Sequence, residues 1–228
     1  MIPLRDDNPS SGVPVVTRTL IALNLAAFLY EIALGPALGN FVLAFGLVPQ
    51  RFSNLFAGTE PVVPTLATGF TSMFLHGGWI HLVGNLWYLW IFGDNVEDRL
   101  GHWKFLLFYI AGGLVAAAVQ VVSNLGSPVP TVGASGAIAA VLGAYAALYP
   151  RARVVTLVPI FFFFQIVALP ALLVLGLWFV LQIFSGSLSI GAPAGGVAWG
   201  AHIGGFVFGM LVMLQGRRTA PSQAWVQE

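Results

Sequence analysis

An all-α membrane protein is the fold class the sequence predicts: six transmembrane helices in a compact bundle, with a partly embedded first outer loop. Three observations predict it. Only 7% of the 228 residues are charged, 58% are hydrophobic and the mean hydropathy is +0.89. A soluble domain carries about 25% charged residues, so these charges cannot clothe a water-soluble surface. Six apolar runs approach the roughly 20 residues needed to cross the hydrocarbon core. The few cations fall mainly between alternate runs.

Taken in order, the runs lie near Val15–Leu34, Gly78–Gly93, Phe105–Val122, Gly133–Tyr149, Ile160–Phe184 and Val197–Leu214. Pro159 and Pro170 flank or interrupt the fifth and predict a kink or loosened turn there. Arg5, Arg18, Arg99, Lys104, Arg151, Arg153, Arg217 and Arg218 fall on one side, and only Arg51 on the other. Cytoplasmic loops are the basic ones, so both termini are expected in the cytoplasm. Residues 1–14 then form a cytoplasmic N-terminal tail, residues 15–216 the helical domain and residues 217–228 a C-terminal tail. Phe41–Leu75 is long, mixed in polarity and broken by Pro49, Pro61 and Pro64. It is too broken to span, and Phe41, Phe45, Phe52, Phe56 and Phe70 predict an outer loop partly embedded in the interface. The outer loops between spans 3 and 4 and between spans 5 and 6 carry no charge.

Several function classes drop out. A net charge of +1 argues against a nucleic-acid partner. The absence of Cys removes disulfides, thiolate metal sites and a Cys nucleophile. The polar start MIPLRDDNPSSGVP has no basic segment leading into an apolar one, so no removable signal peptide is expected. A transporter or channel would favour internal repeats and broken or charged helices at mid-bilayer, and neither pattern is present.

The polar groups of the spans gather in one layer. Spans 2, 4 and 6 all run inward from the outer face. Span 2 begins GWIHLVGN, placing His81 and Asn85 four apart on one helix face. Span 4 begins VGASGA, with Ser135 in its first turn. Span 6 begins VAWGAHIGG, with His202 roughly 5–10 Å below the start at 1.5 Å per residue. Polar groups in lipid are costly and by default functional or mutually paired. Alone, Ser135 reads as a packing residue or one bonded back to a helix carbonyl. With His202 at its depth it reads as a nucleophile whose proton the imidazole accepts. Asn85 and His81 are candidate donors to the oxyanion, with backbone N–H groups at the start of span 4. No Asp stands near enough for a third member, so a Ser–His dyad is expected. Gly133, Gly136, Ala140 and Gly143 on span 4, and Gly205 and Gly209 on span 6, have the small-residue spacing that lets helices approach closely. The only Lys, Lys104, lies on the other side, which excludes a Ser–Lys dyad. HExxH is absent, and no metal or organic cofactor is expected.

GASG at 133–136, HGGWIHLVGN at 76–85, FGDNVEDRLG at 92–101 and AHIGG at 201–205 together resemble the rhomboid intramembrane serine proteases, in the six-helix prokaryotic form. The resemblance implies cleavage of other proteins' transmembrane segments near their outer ends, with membrane lipid as surroundings. It implies Ser135 as nucleophile, His202 as base, Asn85 and His81 as oxyanion donors, and His76 as a further family His. It also implies that span 5 with its following loop gates substrate, and that the location is a prokaryotic plasma membrane with the site opening outward. The alternative is an inactive rhomboid-like protein that binds transmembrane clients; such members usually lack the Ser or the His. Two departures stand out. Family members commonly carry an aromatic four residues after the nucleophile, where this chain has Ala139, so the imidazole must be held another way. The Trp–Arg pair of the family's first loop is also missing before span 2, where the chain reads TLATGFTSMF.

Overall fold

Helix α1 (Val15–Ala33) opens the bundle in the computed structural model, whose described residues are 1–160, 163–188 and 198–219. Three shorter helices follow between α1 and the next long helix: α2 (Leu38–Phe45), α3 (Pro49–Phe56) and α4 (Val62–Thr71). The larger helices are α5 (Trp79–Leu100), α6 (His102–Ser123), α7 (Ser135–Leu148), α8 (Ala171–Leu188) and α9 (Trp199–Thr219). Of these, α1, α6 and the Trp199–Gly216 part of α9 are long and apolar enough to cross a membrane. Helix α7 and the Ala171–Phe184 part of α8 are shorter apolar helices. The loop after α8, the C-terminal tail and the side chains of Arg217 and Arg218 lie outside the described residues.

Three expectations are corrected. The fold is not all helix: β1 (Ile2–Asp6), β2 (Arg153–Ile160) and β3 (Phe163–Pro170) form an antiparallel sheet in that order. Ile2 pairs with Leu157 and Asp6 with Val154; Arg153 pairs with Pro170 and Ile160 with Phe163. The first part of the fifth apolar run is therefore strand β3, and only the rest is helical, in α8. Val154, Val155, Thr156 and Val158 favour extended backbone, and Pro170 halts the strand just before α8 begins. Second, Phe41–Leu75 is mostly helical. Its prolines sit at or near helix starts, where a missing N–H costs nothing: Pro49 opens α3, and Pro61 immediately precedes α4. Third, the second run is longer than expected: α5 continues past Gly93 to Leu100 and takes in Asp94, Glu97 and Asp98.

That extension anchors the N-terminal segment. The Glu97 carboxylate accepts the N–H groups of Val16 at 2.8 Å and Thr17 at 2.7 Å, two orphan donors of the first turn of α1. His102 Nδ1 lies 2.6 Å from the same carboxylate. Asp98 accepts from Ser11 and Gly12, and Asp94 from Ser10. The Asn95 side-chain Nδ2 donates to Asn8 O at 3.0 Å, and the Asn95 backbone carbonyl accepts the Tyr149 hydroxyl at 3.0 Å.

The core centres on α7, whose residues from Gly136 to Leu148 are all buried. Among the described residues, α7 and α9 make the most extensive helix–helix contact. A Cβ added at Gly205 would meet the Gly136 carbonyl oxygen, and one at Gly209 the Ala140 carbonyl oxygen. The two pairs advance in the same sense, so the helices run parallel. At each contact backbone touches backbone, which only the absent side chains permit.

Candidate active site

Gly133, just before α7, is where the site is assembled. Its φ of +131° suits glycine, and its N–H donates to Ser72 O at 2.9 Å. The strand-like bridge between Leu47 and Thr131 and the bond from Gln50 N to Ser127 O hold the same entry segment. The segment between α1 and α5 thus fixes where α7 begins. A Cβ on Gly133 would lie 2.7 Å from Cε1 and Nε2 of His81 and 3.6 Å from Nδ2 of Asn85. Two side chains of α5 therefore press against the residue two before Ser135.

Their donors are free to be used. Asn85 is 8% exposed, and its Nδ2 is buried with no hydrogen-bond partner, an uncommon state for a buried amide. His81 Nδ1 accepts the Gly77 N–H at 3.4 Å, leaving Nε2 to carry the proton on the side facing Gly133. The N–H groups of the first α7 turn have no intrahelical acceptor; the first such bond is Ile138 N to Ala134 O at 3.0 Å. A small cavity of about 20 Å³ is lined by Ser135, Gly133, Gly136, Ala198 and Ala201, among others. It has room for one water-sized group.

Gly136 brings α9 to the same place: its Cβ position lies 3.5 Å from Ala201 Cβ. Ser135 and His202 are the chain neighbours of that contacting pair. Among the described residues the Ser135 hydroxyl makes no hydrogen bond, and none joins it to the imidazole. Catalytic bonds are often loose before substrate binds. His202 is 8% exposed and its Nδ1 lies 2.6 Å from Gln182 Oε1 of α8. The rings of Trp178 and Trp199 flank it at 5.8 Å and 6.1 Å.

His76 stands behind His81, ring centroids 5.3 Å apart. Its backbone N–H donates to both oxygens of the buried Glu31, at 3.1 and 3.3 Å, tying α1 to the turn before α5. Burial, then the neighbouring His81, lowers the His76 imidazole to about 4, so it is neutral at pH 7.

Sequence reasoning overlooked two glutamines. Gln182 is the one polar side chain between Ala171 and Phe184, and an amide in such an apolar run was the available signal. Gln120 of α6 accepts the Ala201 N–H at 3.3 Å and donates to the Thr131 hydroxyl at 3.4 Å, tying α6 to both segments that enter the site.

The Rhomboid domain family matches residues 64–218, a span that contains all of these residues except Glu31, Leu47 and Gln50. Presenilin-associated rhomboid-like protein A, mitochondrial, of Danio rerio is 32% identical over 183 residues, 76% of this chain and 44% of that protein. Rhomboid protease GluP of Bacillus subtilis is 38% identical over 144 residues, 62% of this chain and 26% of that protein. Rhomboid protein 1, mitochondrial, of Saccharomyces cerevisiae is 31% identical over 149 residues, 61% and 39% of the two chains. The chain thus spans less than half the length of these relatives. Two of the three are named mitochondrial, so they give no support to the expected prokaryotic plasma membrane. Since the domain match covers well over half of the sequence and runs from α4 through α9, this protein belongs to the rhomboid family.

Proposed function

We propose that the chain is a serine endopeptidase that hydrolyses peptide bonds in or near transmembrane segments of other membrane proteins. Ser135 attacks the scissile carbonyl through Oγ, and His202 Nε2 takes the hydroxyl proton. Negative charge develops on the carbonyl oxygen, where Asn85 Nδ2, His81 Nε2 and the first N–H groups of α7 donate to it. The tetrahedral adduct collapses, the C–N bond breaks and the imidazolium protonates the leaving amine. Water then attacks the acyl-enzyme with His202 again as base. The observation that carries this reading is the buried, unpartnered Asn85 amide held beside Gly133 at the mouth of α7. The relative named a rhomboid protease supports the reaction class.

In this reading α1, α5, α6, α7, α8 and α9 are six spans, both termini lie on the basic side, and the site opens to the opposite face. The exposed Leu43, Phe45, Val62, Val63 and Leu66 of α2 and α4 contact lipid. One observation favours a second reading, an inactive binder of transmembrane clients: Ser135 and His202 are not hydrogen-bonded. A fluorophosphonate decides between them. Wild-type protein in detergent should be labelled at Ser135, Ser135→Ala should not be, and His202→Ala should label far more slowly. Equal labelling of wild type and Ser135→Ala, or none of either, removes the dyad; retained capture of single-span helices would then favour the binder.

A further inference from the structure

We propose that Gln182 is a positioning residue for the general base, accepting the Nδ1 proton of His202 so that Nε2 is left unprotonated toward Ser135. The inference rests on the Ser–His reading above. Four observations carry it. The Gln182 Oε1 to His202 Nδ1 distance is 2.6 Å, short for an N–H···O bond. The imidazole is nearly buried, so a single partner fixes its tautomer rather than competing with solvent. Trp178 lies one turn before Gln182 on α8, with its ring 5.8 Å from the imidazole and tilted by 37°. Ala139 of α7, fully buried against Gly205, offers neither a ring nor a polar atom. The imidazole is therefore braced from α8 and from Trp199 of its own helix, not from α7.

The chemistry favours an amide here. A carbonyl oxygen can only accept, so Nδ1 must carry hydrogen and Nε2 holds the lone pair. A neutral partner orients the ring without the stabilisation of imidazolium that a carboxylate provides. Because Gln182 belongs to α8, the base is oriented only while α8 lies against α9. His81 of α5 is the titratable side chain acting on the imidazole among the described residues; the facing parts of α6, α7 and α8 present none.

The full chain in detergent, assayed with a fluorophosphonate and a single-span peptide substrate, provides the test. Gln182→Met should lower kcat by at least about tenfold, a part of the roughly 10²–10⁴ that a general base contributes, with KM changed less than about twofold. Gln182→Glu keeps the volume and the acceptor but adds charge. It should move the acid limb of the kcat/KM profile to higher pH, because the carboxylate favours imidazolium. If both variants keep the wild-type kcat and pH profile while only the melting temperature falls, Gln182 is a helix tie and the proposal is overturned. Labelling of Ser135→Ala at the wild-type rate would instead remove the dyad, and the positioning role with it. Should the Met variant fail to fold, the isosteric Glu variant still decides through its pH limb.

Discussion

Asn85 shows what a single side chain can reveal. A buried amide with an unused donor costs stability, and such a cost persists where function requires it. Its Nδ2 has no partner in the resting fold, so removing it should spare the fold and harm the chemistry. Asn85→Ala is expected to lower kcat by roughly 10²–10³, the loss seen when one oxyanion donor is removed, while the thermal midpoint moves little. A large fall in the midpoint with kcat intact would make Asn85 a helix tie instead. Glu97 is the opposite case. It is 1% exposed, but the N–H groups of Val16 and Thr17 and the His102 imidazole satisfy its oxygens. The FGDNVEDRLG block was legible as family signature, yet its capping of α1 was not, because the cap and the helix it serves are about 80 residues apart.

At the scale of elements, the parallel contact of α7 and α9 governs the site. Gly205 and Gly209 face the carbonyl oxygens of Gly136 and Ala140, and a rigid backbone cannot yield as a flexible side chain would. Gly205→Ala should push α9 away from α7, costing about 1–3 kcal/mol as other overpacking changes do. It should also lower the labelling rate at Ser135 at least tenfold, since Ser135 and His202 flank that contact. A stable variant with unchanged labelling would show that the helix spacing is not what sets the Ser–His geometry. The small-residue spacing that predicts this contact is visible in the sequence. The sheet was not anticipated, because the β2–β3 hairpin is as apolar as the helix that follows it, and hydropathy alone cannot separate them.

For the whole molecule, the N-terminal strand links the sheet to the bundle. Trp87 of α5 donates to Pro3 O at 2.6 Å, and Tyr145 of α7 donates its hydroxyl to Asp6 Oδ2 at 2.6 Å. Burial, more than the nearby Asp94 and Asp7, raises the Asp6 carboxyl to about 6, with the Tyr145 bond opposing. A raised acid is favoured by the fold in its neutral form. Its contribution is full below the ordinary carboxyl value near 3.8 and is lost as pH rises through about 6. Protease protection of residues 1–7 should therefore be greater at pH 5 than at pH 7.5, and Asp6→Asn should flatten the difference. Equal protection of the wild type at both values would remove Asp6 as the cause.

By itself the sequence determined the class of molecule and the family, and it placed the candidate residues near the starts of α5, α7 and α9. Those follow from composition and from local spacing, which act within one helix. Tertiary structure alone decided that the fifth apolar run divides into strand and helix, that the N-terminal residues pair as a strand, and that Gln182 and two tryptophans surround His202. Each of these is a contact between segments far apart in the chain, and such contacts depend on how the backbones pack rather than on any local pattern.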